Sequence, residues 1–256
     1  MKKTYTAVYL CVYISLIVHI HISAQSVLNI AAASDLKFAL DSIISVYSKT
    51  NQNTKITVSY GSSANFFEQI SNGAPFDLFF SADIDYPKKL EENHFAISKT
   101  QAYGIGQIVI WSKKTDPKKE KMNCLLNSNI NTISIANPNH APYGKRAQES
   151  MVYYNVFQKI KDKLVFGENV SQAAQFITSG AADIGIIALS LALAPNMKNR
   201  GGYYYIIPEE SYSQLIQGFV ILKHANGNNQ AKTFSEFILS DIAKNILAYY
   251  GFKQNK

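Results

Sequence analysis

Four stretches of the chain place small or hydroxyl-bearing residues where a strand gives way to a helix. They are Ala31-Ala32-Ala33-Ser34-Asp35, Tyr60-Gly61-Ser62-Ser63-Ala64-Asn65, Asn137-Pro138-Asn139-His140-Ala141-Pro142-Tyr143-Gly144 and Glu168-Asn169-Val170-Ser171. Hydroxyls and backbone N–H groups are hydrogen-bond donors. A helix N-terminus adds unpaired N–H groups and a partial positive charge, so the chemistry these junctions offer is capture of an anion. Each has an ordinary reading as well. Ser34, Asp35, Ser62 and Ser63 are common capping residues; Tyr143 alone reads as packing, and Val170 alone says little. Only the set is informative, and periodicity does not by itself bring four loops together.

The flanking segments show which elements must position these junctions. Val27–Ala32 is an apolar strand, and Leu36, Leu40, Ile43, Ile44 and Tyr47 then recur at helical spacing. Ile56, Val58 and Tyr60 alternate with polar residues as a half-buried strand, followed by a helix over Phe66–Ser71, the Gly73-Ala74-Pro75 turn, a buried strand Leu78–Phe80 and a helix Tyr86–Glu92. Strands are expected at Ile108–Trp111, Thr132–Ala136, Ile184–Ile187, Tyr203–Ile207 and Leu215–Leu222. Helices are expected at Lys145–Tyr154 and Ser171–Ser179, the latter closed by Gly180, and two more end the chain. Strands alternating with helices predict an α/β fold whose sheets are mainly parallel and flanked by helices. In such sheets ligands bind beyond the carboxyl ends of the strands, where the four junctions lie. No Gly/Ser-rich linker divides the chain, so two lobes would have to be joined by ordinary strands; the stretches near Ile108 and Phe219 are the candidates.

The chain has 256 residues and a net charge of +7, with 25 basic and 18 acidic residues. Lys2 and Lys3 precede an apolar run over Ala7–Ile22 and small residues at Ser23 and Ala24, the order of a secretory signal peptide cleaved near Ala24 or Gln25. Cys11 falls inside that leader without a lipidation box, which leaves Cys124 alone and no internal disulfide to form. The lysines are scattered apart from the solvated Lys113–Lys121 loop, a pattern that argues against a nucleic-acid partner.

Together these segments make the chain resemble the periplasmic molybdate-binding proteins of ABC transporters. The resemblance is carried by Ala31-Ala32-Ala33-Ser34, Ser62-Ser63, Gly73-Ala74-Pro75-Phe76-Asp77-Leu78-Phe79-Phe80-Ser81-Ala82-Asp83, Pro142-Tyr143-Gly144, Glu168-Asn169-Val170, Asp183-Ile184-Gly185 and Tyr249-Tyr250-Gly251-Phe252. It implies a type II periplasmic binding protein fold: two lobes of mixed, mainly parallel sheet with flanking helices, joined by two crossover strands, with the ligand cleft between them. The implied division is a signal peptide over 1–24, a first lobe of 25–106 with 220–256, and a second lobe of 107–219.

The resemblance also implies the ligand set. Ser34 and Ser63 would give hydroxyl and N–H bonds, Tyr143 a donor at the start of a helix and Val170 a backbone N–H. Ala188 stands where some relatives carry a tyrosine that reaches the oxyanion, so the donor hydroxyl is expected to have moved to Tyr143. The same residues would reach the only metal implied, the molybdenum of the anion, through its oxygens. No cofactor is implied. The implied partners are molybdate or tungstate and a membrane permease, with the protein a monomer in the periplasm. Molybdate at neutral pH is a tetrahedral dianion that only accepts hydrogen bonds, so a site of donors alone would satisfy it, while protonated phosphate would leave a donor unpaired. The alternatives are a binder of another oxyanion such as sulfate, or a secreted hydrolase built on Ser34, Ser63, His140 and Asp35. The chain has no Gly-x-Ser-x-Gly elbow for the latter, and His94, His140 and His224 lack metal-ligand spacing.

Overall fold

The computed structural model describes Ser26–Gln254; the expected leader and its cleavage point lie outside these residues. Ten strands form two five-stranded sheets. The first holds β1 (Ser26–Ala33), β2 (Thr54–Gly61), β3 (Leu78–Ser81), β4 (Gln101–Gly106) and β10 (Leu215–Ile221), in the order β2-β1-β3-β10-β4. The second holds β5 (Ile108–Ser112), β6 (Ile133–Ala136), β7 (Leu164–Gly167), β8 (Ile184–Ala188) and β9 (Tyr203–Ile206), in the order β7-β6-β8-β5-β9. In each sheet one strand alone runs against the other four: β10 is antiparallel to β3 and β4, and β5 to β8 and β9. These are the strands that enter their sheets from the other lobe.

The lobes are joined twice. Gln107 alone separates β4 from β5, and residues 207–214 return the chain from β9 to β10. A lobe boundary at 219/220 would cut β10, which pairs with β4 from Leu215 and with β3 from Gly218; the sheets change over at 207–214 instead. Gln107 ties the two crossings together by donating to Glu209 Oε1 at 3.1 Å.

Seven helices of two turns or more pack on the sheets: α1 (Lys37–Tyr47), α2 (Ser63–Ser71), α3 (Asp85–Glu92), α4 (Pro142–Tyr153), α5 (Val170–Ser179), α6 (Asn229–Ile238) and α7 (Asp241–Tyr249). Proline at the first position of α4 loses nothing there, because that N–H would have no helical acceptor. Gly180 stops α5 in the left-handed conformation at φ 83°. Two apolar cores result. Leu28, Ile30, Phe80, Phe219 and Phe234 fill the first, with the Phe80 and Phe219 rings stacked at 5.0 Å. Ile110, Ile133, Ile135, Ile184 and Ile186 fill the second. Among the described residues no helix is long and apolar enough to cross a membrane.

β4 has no counterpart among the expected elements. Gln101-Ala102-Tyr103-Gly104-Ile105-Gly106 carries two glycines and lacks a strand-like apolar alternation. Two partners hold it as a strand: β10 along one edge, and Lys253 of the C-terminal tail, which exchanges backbone bonds with Ile105 at 2.8 and 2.9 Å.

Candidate functional site

The first, second, third and fourth junctions all open onto one small cavity between the lobes. Ala33, Ser34, Asp35, Gly61, Ser62, Ser63 and Ala82 line it from the first lobe; Ala141, Pro142, Tyr143, Asn169 and Val170 line it from the second. Its volume is about 10 Å³, room for about one water molecule, so the walls are nearly in contact across it. Larger surface clefts of about 550 and 930 Å³ lie elsewhere, but none of the three serines, helix starts or small-residue turns just named converges on them except the Pro138-Asn139 edge of one loop. The small cavity is where the donors meet.

The serines are not helix caps. Ser34 opens a 3-10 turn and Ser62 precedes α2, and neither makes a side-chain capping bond. Instead their neighbours orient the hydroxyls. Ser63 Oγ accepts the Ala82 N–H at 3.0 Å, and Ser34 Oγ accepts the Ser171 N–H at 3.3 Å. A hydroxyl whose lone pair is already engaged keeps its O–H to donate, which suits an acceptor-only ligand. Ser62 Oγ is buried with no partner among the described residues. It faces the same cavity and was not among the expected ligands, since in the sequence it reads as a second, redundant serine beside Ser63.

Three helix N-termini complete the lining: α2 at Ser63, α4 at Tyr143 and α5 at Val170. Their first N–H groups have no helical carbonyl to bond. Tight packing brings the backbones in. A Cβ on Gly144 would collide with the carbonyl of Ala136, and one on Gly167 would sit 2.6 Å from the Ala173 nitrogen. Asn169 caps α5 by accepting the Gln172 N–H at 3.1 Å.

Tyr143 differs from the expectation. Its ring is buried and its hydroxyl is committed to the first lobe, donating to Asp35 Oδ2 at 2.9 Å. Gln217 Nε2 donates to the same Oδ2 at 2.8 Å and to the Tyr143 oxygen at 3.0 Å; Tyr103 donates to Gln217 Oε1 at 2.6 Å and so orients the amide. What Tyr143 presents to the cavity is therefore its place at the start of α4. Ala188 is also displaced from the expected role. It ends β8, fully buried against Ile108, and is not part of the cavity lining. The tyrosine-for-alanine exchange between the two positions is thus not a simple transfer of a ligand hydroxyl.

The lining holds no lysine or arginine. The nearest buried cation, Arg146, is spent on Asp83 at 3.6 Å and Glu149 at 2.7 Å. The lining does hold a carboxyl, Asp35, so it is not made of donors alone. Burial pushes that carboxyl up to about 6, against the opposing hydrogen bonds from Gln217 and Tyr143. His140 pairs with Glu168 at 3.6 Å and makes no hydrogen bond to Ser34, Ser63 or Asp35, so the four candidate hydrolase residues do not assemble as a triad. Other acids of the motifs are structural. Asp183 accepts from the N–H groups of Asn131 and Thr132, and Asp77 from that of Asn29.

Several bonds close the lobes over the cavity. Ser171 Oγ donates to the Ser34 carbonyl at 2.9 Å, Ser190 Oγ to the Asp35 carbonyl at 2.7 Å, and Asn65 Nδ2 to Glu168 Oε1 at 2.5 Å.

The family model of bacterial extracellular solute-binding proteins matches residues 28–253. Molybdate-binding protein ModA of Rhodobacter capsulatus is 33% identical over 199 residues, 77% of each chain, and that of Azotobacter vinelandii is 31% identical over 225 residues, 88% of each. The solved periplasmic molybdate-binding protein of Azotobacter vinelandii superposes with a TM-score of 0.82 at 28% identity, covering 90% of this chain and all of that one.

Proposed function

The chain belongs to the bacterial extracellular solute-binding proteins, and from that premise we propose that it captures molybdate or tungstate between its lobes and delivers it to an ABC transporter permease. The observation that carries this reading is the convergence of Ser34, Ser62, Ser63 and the starts of α2, α4 and α5 on one small cavity with no cationic side chain. Hydroxyls and helix N-termini can neutralise a dianion without a lysine or arginine, and their fixed directions favour a tetrahedral acceptor. The two relatives named molybdate-binding support the same ligand.

In this reading Ser34, Ser62 and Ser63 donate through their hydroxyls, and Tyr143 and Val170 through backbone N–H groups. Ala188 packs behind the site. The lobes close as a hinge about Gln107 and residues 207–214, because contacts from both lobes favour the closed state. The protein works as a monomer after export and removal of its leader to the periplasm, and it carries out no reaction on its ligand.

Calorimetric titration of the exported protein with molybdate, tungstate, sulfate and phosphate in parallel tests the proposal. Tight binding of the first two and weak binding of phosphate at neutral pH is the expected pattern. Phosphate binding as tight as molybdate binding would refute the ligand assignment.

A further inference from the structure

A carboxyl is an unexpected wall for a site that takes a dianion. Asp35 lines the cavity and is 1% exposed, and its two oxygens are unequal. Oδ2 accepts from Tyr143 and Gln217 at 2.9 and 2.8 Å, whereas Oδ1 is buried with no hydrogen-bond partner among the described residues. An ionised carboxylate would leave its share of the delocalised negative charge on that oxygen with no hydrogen-bond partner. A neutral carboxyl would carry its proton there, free to donate, because Oδ2 is already occupied by two donors.

Hydrogen bonds from Gln217 and Tyr143 and the nearby backbone N–H groups of Asp35 and Leu36 ease the charge, but no cation offsets it. Of the elements packed on the Ser34–Leu36 turn, α1 contributes Lys37 and Asp41, which pair with each other at 3.2 Å at the surface. α5 and the Leu189–Ala192 turn carry no ionisable side chain. From α4 come Tyr143 and Arg146, the latter held by Asp83 and Glu149, together with Lys145 and Tyr153, which are bound to neither oxygen. β4 brings Tyr103, which reaches Gln217 rather than Asp35, and β10 brings no ionisable group. No described cation lies within ion-pairing distance of Asp35.

Building on the anion-binding reading, the geometry points to Asp35 as a neutral donor to the bound dianion through Oδ1, so that one proton enters the site with each anion. The proton comes from solvent, stays on Asp35, and adds a hydrogen bond where an ionised group would repel the ligand. In the closed arrangement burial already holds this carboxyl up to about 6, and an adjacent dianion pushes it further in the same direction. Nothing touches the metal atom: Asp35, like the serines, would face an oxygen. The consequence is a site whose affinity depends on pH in a range where molybdate itself stays fully deprotonated.

The test is calorimetry with sodium molybdate from pH 6.5 to 8.5, in pairs of buffers that differ in ionisation enthalpy. The wild-type protein is expected to take up about one proton per anion at the upper end of this range, and its affinity to fall by up to about tenfold per pH unit. Asp35→Asn, which keeps a donor without a titration, is expected to take up none and to bind with a nearly flat profile. Binding by the wild type without proton uptake would overturn the inference and leave the molybdate reading standing; this readout needs no variant, so it decides even if Asp35→Asn fails to fold. Equal slopes for wild type and variant would overturn it too. So would a preference for phosphate, because an ionised Asp35 would then be accepting the proton of hydrogen phosphate. No binding of molybdate at any pH would sink both proposals together.

Discussion

The hydroxyl of Tyr143, at the start of a second-lobe helix, donates to Asp35 of the first lobe at 2.9 Å across 108 residues of sequence. This bond and its partner from Gln217 lie directly behind the anion cavity, where the two lobes meet. Tyr143 is thus part of the closure, and its role separates from that of the serines.

Tyr143→Phe and Ser63→Ala are expected to behave differently. Ser63→Ala removes a hydroxyl donor to a charged ligand and should cost about 1.5–3 kcal/mol, ten- to a hundredfold in affinity. Tyr143→Phe leaves the α4 N-terminus in place and should weaken binding less than Ser63→Ala does. Titrating both variants with molybdate checks this. A larger loss from Tyr143→Phe would mean that the hydroxyl turns to the ligand on binding.

Ser62→Ala should move stability and affinity in opposite directions. The Ser62 hydroxyl is buried without a partner among the described residues, so its removal relieves an unsatisfied group in the closed fold. Thermal melting of the unliganded variant should show a Tm equal to or above that of the wild type, while molybdate affinity falls about tenfold. Unchanged affinity would remove Ser62 from the ligand set.

Asp35→Asn should stabilise the unliganded protein at alkaline pH. Burial raises this carboxyl from 3.8 to about 6, so the fold favours its neutral form. With that sign its contribution is best below about pH 4, is lost progressively as the pH rises towards 6, and stays lost above. The full difference is about 3 kcal/mol. Denaturant melts should therefore show the variant more stable than the wild type at pH 8 by up to that amount, with the gap shrinking towards pH 4. A gap independent of pH would contradict the assignment.

Gly106→Ala should hinder closure. A Cβ there would collide with the Tyr143 hydroxyl and lie 2.6 Å from Gln217 Nε2, so the polar network behind the cavity would have to spread. Overpacking of this kind costs about 1–3 kcal/mol, and it falls on the closed state, in which Tyr143 and Gln217 meet. Small-angle scattering with and without molybdate should show compaction in the wild type and less of it in the variant at equal ligand concentration. Equal compaction and equal affinity would show that the crossing tolerates the methyl group.

Much of this architecture is written locally. β1, β3 and β8 are apolar runs, and α1 and α5 repeat their apolar residues at helical spacing; the short range of those periods makes them readable from neighbours alone. The hydroxyl-rich junctions were legible for the same reason, since Ser34, Ser63 and Val170 need only a strand before them and a helix after. What no window of sequence contains is which of these ends meet. Asp35 reads locally as a cap, yet its hydrogen-bond partners are Tyr143 and Gln217, 108 and 182 residues away. β4 has no pattern of its own and is a strand only because β10 and the tail near Lys253 supply its backbone partners. Ala188 and Tyr143 could be set side by side as alternatives in sequence; only the sheet order buries one against Ile108 and turns the other's hydroxyl onto Asp35. Local period determines the elements, whereas long-range packing decides which polar groups are left facing the same cavity, because a buried donor or acceptor takes whatever partner the closed fold brings within reach.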